Sequence, residues 1–289
     1  MTHFYKVADF LFSIETTPEI IAACPNYAPF RTPDTVHHTP ILSLRTCCEN
    51  IPSADGWTHI YTDRTDEDMP RIEMYRKDGA WLFLVSKYRD TPVVSALLCD
   101  AEMQHGELYG EPSRFAVDNA MMLLFAFATA GRKTLLFHSA VIMREGKGYM
   151  FLGHSGTGKS THAQQWLSAF PDAELLNDDN PVVRILDDGS IRVYGSPWSG
   201  KTPCYKSADV PVQALVQLAQ APKNEIRLLR PTQAYPYILS SVSGLKMEPA
   251  MMDRLYETIA ALLESKPVYF LDCLPNPDAA QVCYSHSSH

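Results

Sequence analysis

The chain has 289 residues, 46% of them hydrophobic, and a formal net charge of −8. That length and apolar content suit a sizeable core divided between two domains, while the negative balance, without any dense lysine/arginine run, excludes a broad nucleic-acid or membrane-binding face. Seven cysteines without paired C-x-x-C spacing fit neither a disulfide framework nor a structural zinc site, and the ten histidines show no metal-ligand spacing.

The first residues, Met1-Thr2-His3-Phe4-Tyr5-Lys6, lack the charged start, apolar run and small-residue cleavage site of a signal peptide, so a cytoplasmic location is expected. Residues 4–12 mix aromatics with polar breaks, and residues 57–61 and 71–76 alternate at period two. Lys77-Asp78-Gly79-Ala80 reads as a turn into the apolar run 81–85. His37 and His38, in a Pro/Thr-rich segment, read as solvated loop residues. The pattern predicts an antiparallel, β-rich lobe over residues 1–132, ending in a helix over 113–130 that Gly131 stops. The apolar stretch 120–130 is too short to span a bilayer and reads as core.

From Lys133 the pattern changes, and residues 133–289 read as a second domain. Residues 134–143 form one apolar run and 149–152 another, separated by the turn Arg144-Glu145-Gly146-Lys147. Next comes Gly153-His154-Ser155-Gly156-Thr157-Gly158-Lys159-Ser160, which fits the phosphate-binding pattern G-x-x-x-x-G-K-[ST] at every fixed position. Its glycines permit the φ > 0 turns that aim backbone N–H groups at phosphate oxygens. Lys159 is placed to reach β/γ-phosphates and Ser160 to ligate Mg²⁺, and the following helix turns its positive dipole end to the same anion. Ser155, Thr157 and Thr161 complete the nucleotide-binding set. In that helix Ala163, Trp166, Leu167 and Phe170 recur at helical spacing, so one face can pack on a sheet.

Beyond the helix, a short apolar run ends in Asn177-Asp178-Asp179-Asn180. Adjacent aspartates at a strand end are costly to bury without a cation, and a Mg²⁺ bridging nucleotide phosphates supplies one. Asp178 with Ser160 is therefore the expected metal set; a solvated Asx turn before Pro181 is the plainer alternative. Asp187-Asp188-Gly189 reads as a hairpin turn. His138, within the apolar run before the loop strand, is either a core histidine or a partner for a carboxylate or γ-phosphate. The segment 194–203 is a strand breaking into a Gly/Ser/Pro loop that carries Trp198 and Lys201. It is read as an active-site lid whose ammonium neutralises a transferring phosphate, or else as an ordinary surface loop. The tail holds strands at 212–218 and 225–229, two helices and a last strand at 268–271. The second helix, 250–264, turns Met252, Leu255, Tyr256, Ile259, Leu262 and Leu263 to the core. Short hairpins on either side of the loop unit, without crossover helices between parallel strands, predict a mixed or largely antiparallel sheet around the loop.

His138-Ser139-Ala140-Val141, the loop from Gly153 to Ser160, and Asn177-Asp178-Asp179 together resemble the kinase domain of the HPr kinase/phosphorylase family. The resemblance runs over residues 135–194 and more weakly to 271. It implies an α/β (α+β) fold of the kind shared with phosphoenolpyruvate carboxykinase, with a P-loop in a mixed sheet. It also implies ATP and Mg²⁺ as cofactors and transfer of the γ-phosphate to a hydroxyl: a serine of a peptide or protein, or a small molecule. By motif position Asp178 resembles the aspartate that activates the acceptor hydroxyl and helps hold metal, and Asp179 and His138 resemble its polar partners. The chain departs from the family at Thr161-His162, where an acidic residue is usual, and at Asn177, where a small residue precedes the aspartates. No Arg-Gly-Leu-Gly segment is present, so HPr is not the expected acceptor. Two alternatives stand beside a kinase: a nucleotide-gated binding module that hydrolyses ATP slowly, with the aspartates serving only Mg²⁺, and carboxykinase-like transfer to a carboxylic acid or enol. The acceptor, the part the N-terminal lobe plays in binding it, and assembly into a homo-oligomer are left open.

Overall fold

Two-residue turns set much of the strand pairing. In the computed structural model, which describes residues 1–33, 39–63, 70–200, 202–244 and 248–288, Asp78 and Gly79 both take positive φ, 50° and 86°. This is the twist that lets β5 (Arg71–Lys77) fold directly back as β6 (Ala80–Ser86). Glu145 and Gly146, at 51° and 70°, do the same between β10 (Ser139–Arg144) and β11 (Lys147–Leu152). His37, His38 and Lys201 lie outside the described residues.

The chain divides into two units. The first comprises Met1–Thr129 with Glu248 and Pro249. Its other strands are β1 (Thr2–Val7), β2 (Phe10–Glu15), β3 (Leu42–Thr46), β4 (Thr58–Thr62), β7 (Val93–Cys99) and β8 (His105–Gly110). They form an eight-stranded sheet ordered β1-β2-β3-β8-β7-β6-β5-β4. Helix α2 (Arg114–Ala130) supplies its core: Phe125 meets Phe10 and Phe12 edge-on, and Phe127 stacks on Phe83. The expectation of an antiparallel lobe needs correction, because β2/β3 and β3/β8 pair in parallel. The reason lies in the β2–β3 link, where the short helix α1 (Pro18–Ala22) and a 3₁₀ turn (Pro25–Phe30) carry the chain back to the starting end of β2.

The second unit runs from Ala130 to Gly244 and onward from Ala250. It adds β9 (Thr134–Leu136), α3 (Lys159–Ala169), β12 (Glu174–Asp179), β13 (Val182–Ile185), β14 (Ile191–Tyr194), β15 (Asp209–Gln220), β16 (Glu225–Leu228), α4 (Pro231–Ser241), α5 (Pro249–Ser265), β17 (Val268–Cys273) and α6 (Pro277–Ser287). The nine-stranded sheet is mixed: β10/β11 and β10/β12 are antiparallel, β11/β15 and β15/β17 parallel. Both faces of its centre are buried, and the period-two alternation sorts them. Ala140, Ile142, Tyr149, Phe151, Ala214 and Val216 pack with α3 and α6. Their neighbours Val141, Met150, Leu152 and Leu215 pack with α4 and α5.

Four sequence expectations change here. The run 134–143 is two strands, broken at Phe137-His138: β9 pairs with β13, whereas β10 pairs with β11 and β12. Uniform apolarity hides the break, since both halves are buried. Helices α4 and α5 do lie between the parallel strands β15 and β17, so crossover helices are present. Helix α6 was not expected. Its buried face is Ala279, Ala280 and Cys283, too small in side chain to register as an apolar stripe, and its start is fixed instead by Asn276, whose side chain accepts from the Ala279 N–H. In α5 the stripe is core through Leu255, Ile259, Leu262 and Leu263, but Tyr256 is exposed. All seven cysteines are free, and among the described residues no helix is long and apolar enough to cross a membrane.

Candidate functional site

The register of three strands assembles the site. Ser139, first residue of β10, lies across from Leu152, last residue of β11, and also across from Asp179, last residue of β12. The glycine-rich loop that leaves β11 and the aspartate pair that ends β12 therefore flank one point, with His138 immediately before it. Strand spacing puts the two chain ends about 10 Å apart.

Between β11 and α3 the loop turns through Gly153, Gly156 and Gly158 at φ 154°, 78° and 106°. A Cβ on Gly153 would stand 2.9 Å from the Thr157 side chain, so that turn has room only for glycine. Gln220, at the end of β15, donates to the carbonyls of Gly156 and Thr157 at 3.2 and 3.4 Å and fastens the loop's crest. His154, Ser155 and Gly156 are exposed and Thr157 and Gly158 half-buried. Thr161, in the first turn of α3, is exposed as well. Lys159 is 9% exposed, and its ammonium curls back into the loop, donating to the carbonyls of Gly153 at 2.9 Å and His154 at 3.3 Å. Burial lowers its pKa, and the charges of Asp179 and Asp178 partly offset that.

Ser160 donates from its hydroxyl to Asp178 Oδ1 at 2.9 Å. Asp178 itself is 5% exposed. A hydroxyl and a buried carboxylate thus converge beside the first turn of α3. Asp179 faces His138, whose Nε2 stands 3.3 Å from its Oδ1. Desolvation pushes the Asp179 carboxyl up to about 6; Lys159 pulls it down and Asp178 adds to the rise. Its backbone φ of 154° is one that residues with side chains seldom adopt, at a cost of about 1–3 kcal/mol. Both aspartates belong to the strand end rather than to a solvated turn after it, because the pairing of β12 with β10 continues through Asp178 and Asp179.

After β14 the described residues 195–200 pack along β12, and Lys201, on which the lid reading rests, lies outside the described residues. Residues 195–198 are buried, Trp198 to 2% exposure, and the segment runs along the free edge of β12. Gly200 N–H donates to Asp178 O at 2.7 Å, Ser199 bridges to Asp179, and Cys204 Sγ lies 3.4 Å from the carbonyls of Leu175 and Leu176. Gly195 passes so close that an added Cβ would stand 2.0 Å from Lys206 O. An unpaired strand edge needs such cover, and loop-like composition concealed it. Sequence reasoning also passed over Asn177 and Gln220. Asn177 was visible only as a departure from a family pattern, and Gln220 carried no signal at all.

A Mg²⁺ held by one carboxylate, one hydroxyl and phosphate oxygens fits the Ser160–Asp178 pair. Such a site needs no cluster of three or more His, Cys, Asp or Glu, and among the described residues there is none.

The chain matches no protein-family model and no curated protein. Among solved structures it is similar to one described as the Hpr(Ser) kinase/phosphatase from Coxiella burnetii, at 10% identity and a TM-score of 0.32, over 52% of this chain and 95% of that one. A likeness of that degree assigns no role to any residue of this chain.

Proposed function

We propose that the second unit binds Mg·ATP in the loop from Gly153 to Ser160 and passes the γ-phosphate to a hydroxyl of a peptide, protein or small molecule in the cytoplasm. The observation that carries this reading is the Ser160–Asp178 hydrogen bond, which joins the phosphate loop to the aspartate strand at the place where triphosphate and acceptor would meet. Loop N–H groups and Lys159 bind the phosphates, and Lys159 exchanges its two backbone carbonyls for phosphate oxygens. A Mg²⁺ on Ser160 and Asp178 would neutralise phosphate charge when bound. Asp178 orients the acceptor hydroxyl toward the γ-phosphate, while Asp179, steadied by His138, holds the local charge balance. Catalysis of this kind is positioning and electrostatics.

Changing Asp178 to Asn is expected to lower transfer of labelled γ-phosphate roughly 10²–10⁴-fold, the span typical of losing a positioned acid–base group, with metal-free ADP affinity changed little. Full transfer by that variant would remove Asp178 from the mechanism. If the wild-type chain labels no acceptor while its affinity for a partner follows nucleotide state, the nucleotide-gated module is the correct reading.

A further inference from the structure

Asn177 is 0% exposed, and its side chain ties the aspartate turn to the strap along the edge of β12. Its Oδ1 accepts from the Asn180 N–H at 2.9 Å, closing a ring around Asp178 and Asp179. Its Nδ2 faces Ser196 Oγ at 3.2 Å, Trp198 O at 3.3 Å and Ser196 O at 3.4 Å, on the strap along the edge of β12. Ser196, also fully buried, completes the knot: its hydroxyl lies 2.5 Å from Asn180 O and 3.2 Å from the Trp198 N–H. So anchored, the strap delivers the Gly200 N–H to Asp178 O at 2.7 Å, while the Ser199 hydroxyl lies 3.3 Å from that oxygen and 2.5 Å from Thr202 O.

We infer that Asn177, with Ser196, is a positioning residue that sets the aim of Asp178 and Asp179 at the metal and phosphate end of the site. Neither residue hydrogen-bonds to the nucleotide loop; both act through the backbone of the aspartate pair. The knot explains how Asp179 is held at its unfavourable φ of 154°, because such a conformation persists only where the surroundings over-determine it. It also gives a reason for asparagine where a small residue would suffice to end a strand: alanine supplies neither the acceptor for Asn180 nor the donors for the strap.

This inference rests on the Mg·ATP reading above, and the test separates the two. Nucleotide affinity is measured by calorimetry across a Mg²⁺ titration, and turnover as γ-phosphate release, for wild type, Asn177→Ala, Ser196→Ala and the double variant. Asn177→Ala should raise the Mg²⁺ midpoint and lower kcat by roughly 10–100-fold, the range seen when a residue behind a metal ligand is lost, with metal-free nucleotide affinity within about threefold. The double variant should lose little more than Asn177→Ala alone, since both residues belong to one network. Should Asn177→Ala fail to fold, Ser196→Ala carries the same expectation in smaller measure. A folded variant with wild-type Mg²⁺ midpoint and kcat overturns the inference, as does a loss in which metal-free affinity falls as far as kcat, the mark of general collapse. Absence of Mg²⁺-dependent nucleotide binding in the wild type overturns the underlying reading instead.

Discussion

His162 shows how one buried side chain ties the phosphate loop to acid stability. It follows the loop on α3, is 4% exposed, accepts the Trp166 indole N–H at its Nε2 at 3.1 Å and meets the Phe151 ring edge-on. Burial pulls its pKa from 6.5 down to about 4. The unfolded chain therefore binds a proton that the folded chain refuses over that interval. Stability from this residue is fully present above pH 6.5 and is lost as pH falls toward 4, by about 3 kcal/mol in all. Urea unfolding of wild type and His162→Gln at several pH values checks this: the glutamine keeps an acceptor for Trp166, and the gap between the two proteins should change by that amount across the window, in favour of the variant at low pH. A constant gap would mean that His162 takes up its proton at the same pH in the folded and unfolded chain. At the same scale, legibility follows locality. The loop's glycines and Lys159 were readable because their partners lie within a few residues, and Ser160 because it fills a fixed position of the same short pattern, whereas the strap partners of Asn177 are Ser196 and Trp198, brought in only by β13 and β14.

Helix α3 is the element that converts packing into a site, since the face it buries fixes where its first turn points. Trp166 is wholly buried and lies between Tyr149 and Phe151 of β11 and Tyr284 of α6, with ring centroids 4.7, 5.5 and 5.8 Å away. Trp166→Ala should cost about 3–5 kcal/mol through lost burial and a residual cavity, read as a lower urea midpoint at unchanged slope; a loss under about 1 kcal/mol would mean that the site collapses around the gap. Trp166 and Ala163 were visible as a 3.6-residue stripe, as were Leu255, Ile259 and Leu262 in α5. Strand pairing was less visible. A fully buried strand is apolar at every position, so 134–143 gave no sign of changing partners at Phe137-His138, and nothing in the composition of residues 195–200 reveals that they cover an edge.

Across the whole molecule, each unit carries its own sheet and core, and every described residue of the candidate site belongs to the second. A ligand that binds only the folded site stabilises the unit it binds by mass action, about 2.7 kcal/mol at 100 times its Kd. Amides of that unit that exchange only by its cooperative opening should then slow about 100-fold. With Mg·ADP at that concentration, hydrogen exchange should show this protection in β10, β11, β12 and β15, strongest at the β11–α3 junction, where loop N–H groups would be engaged directly. Lys159→Ala, which removes the ammonium but leaves the glycine turns, should require a higher nucleotide concentration to reach the same protection. Protection confined to β1–β8 would place the nucleotide on the N-terminal unit, and the glycine-rich loop would then be only the turn that joins β11 to its helix.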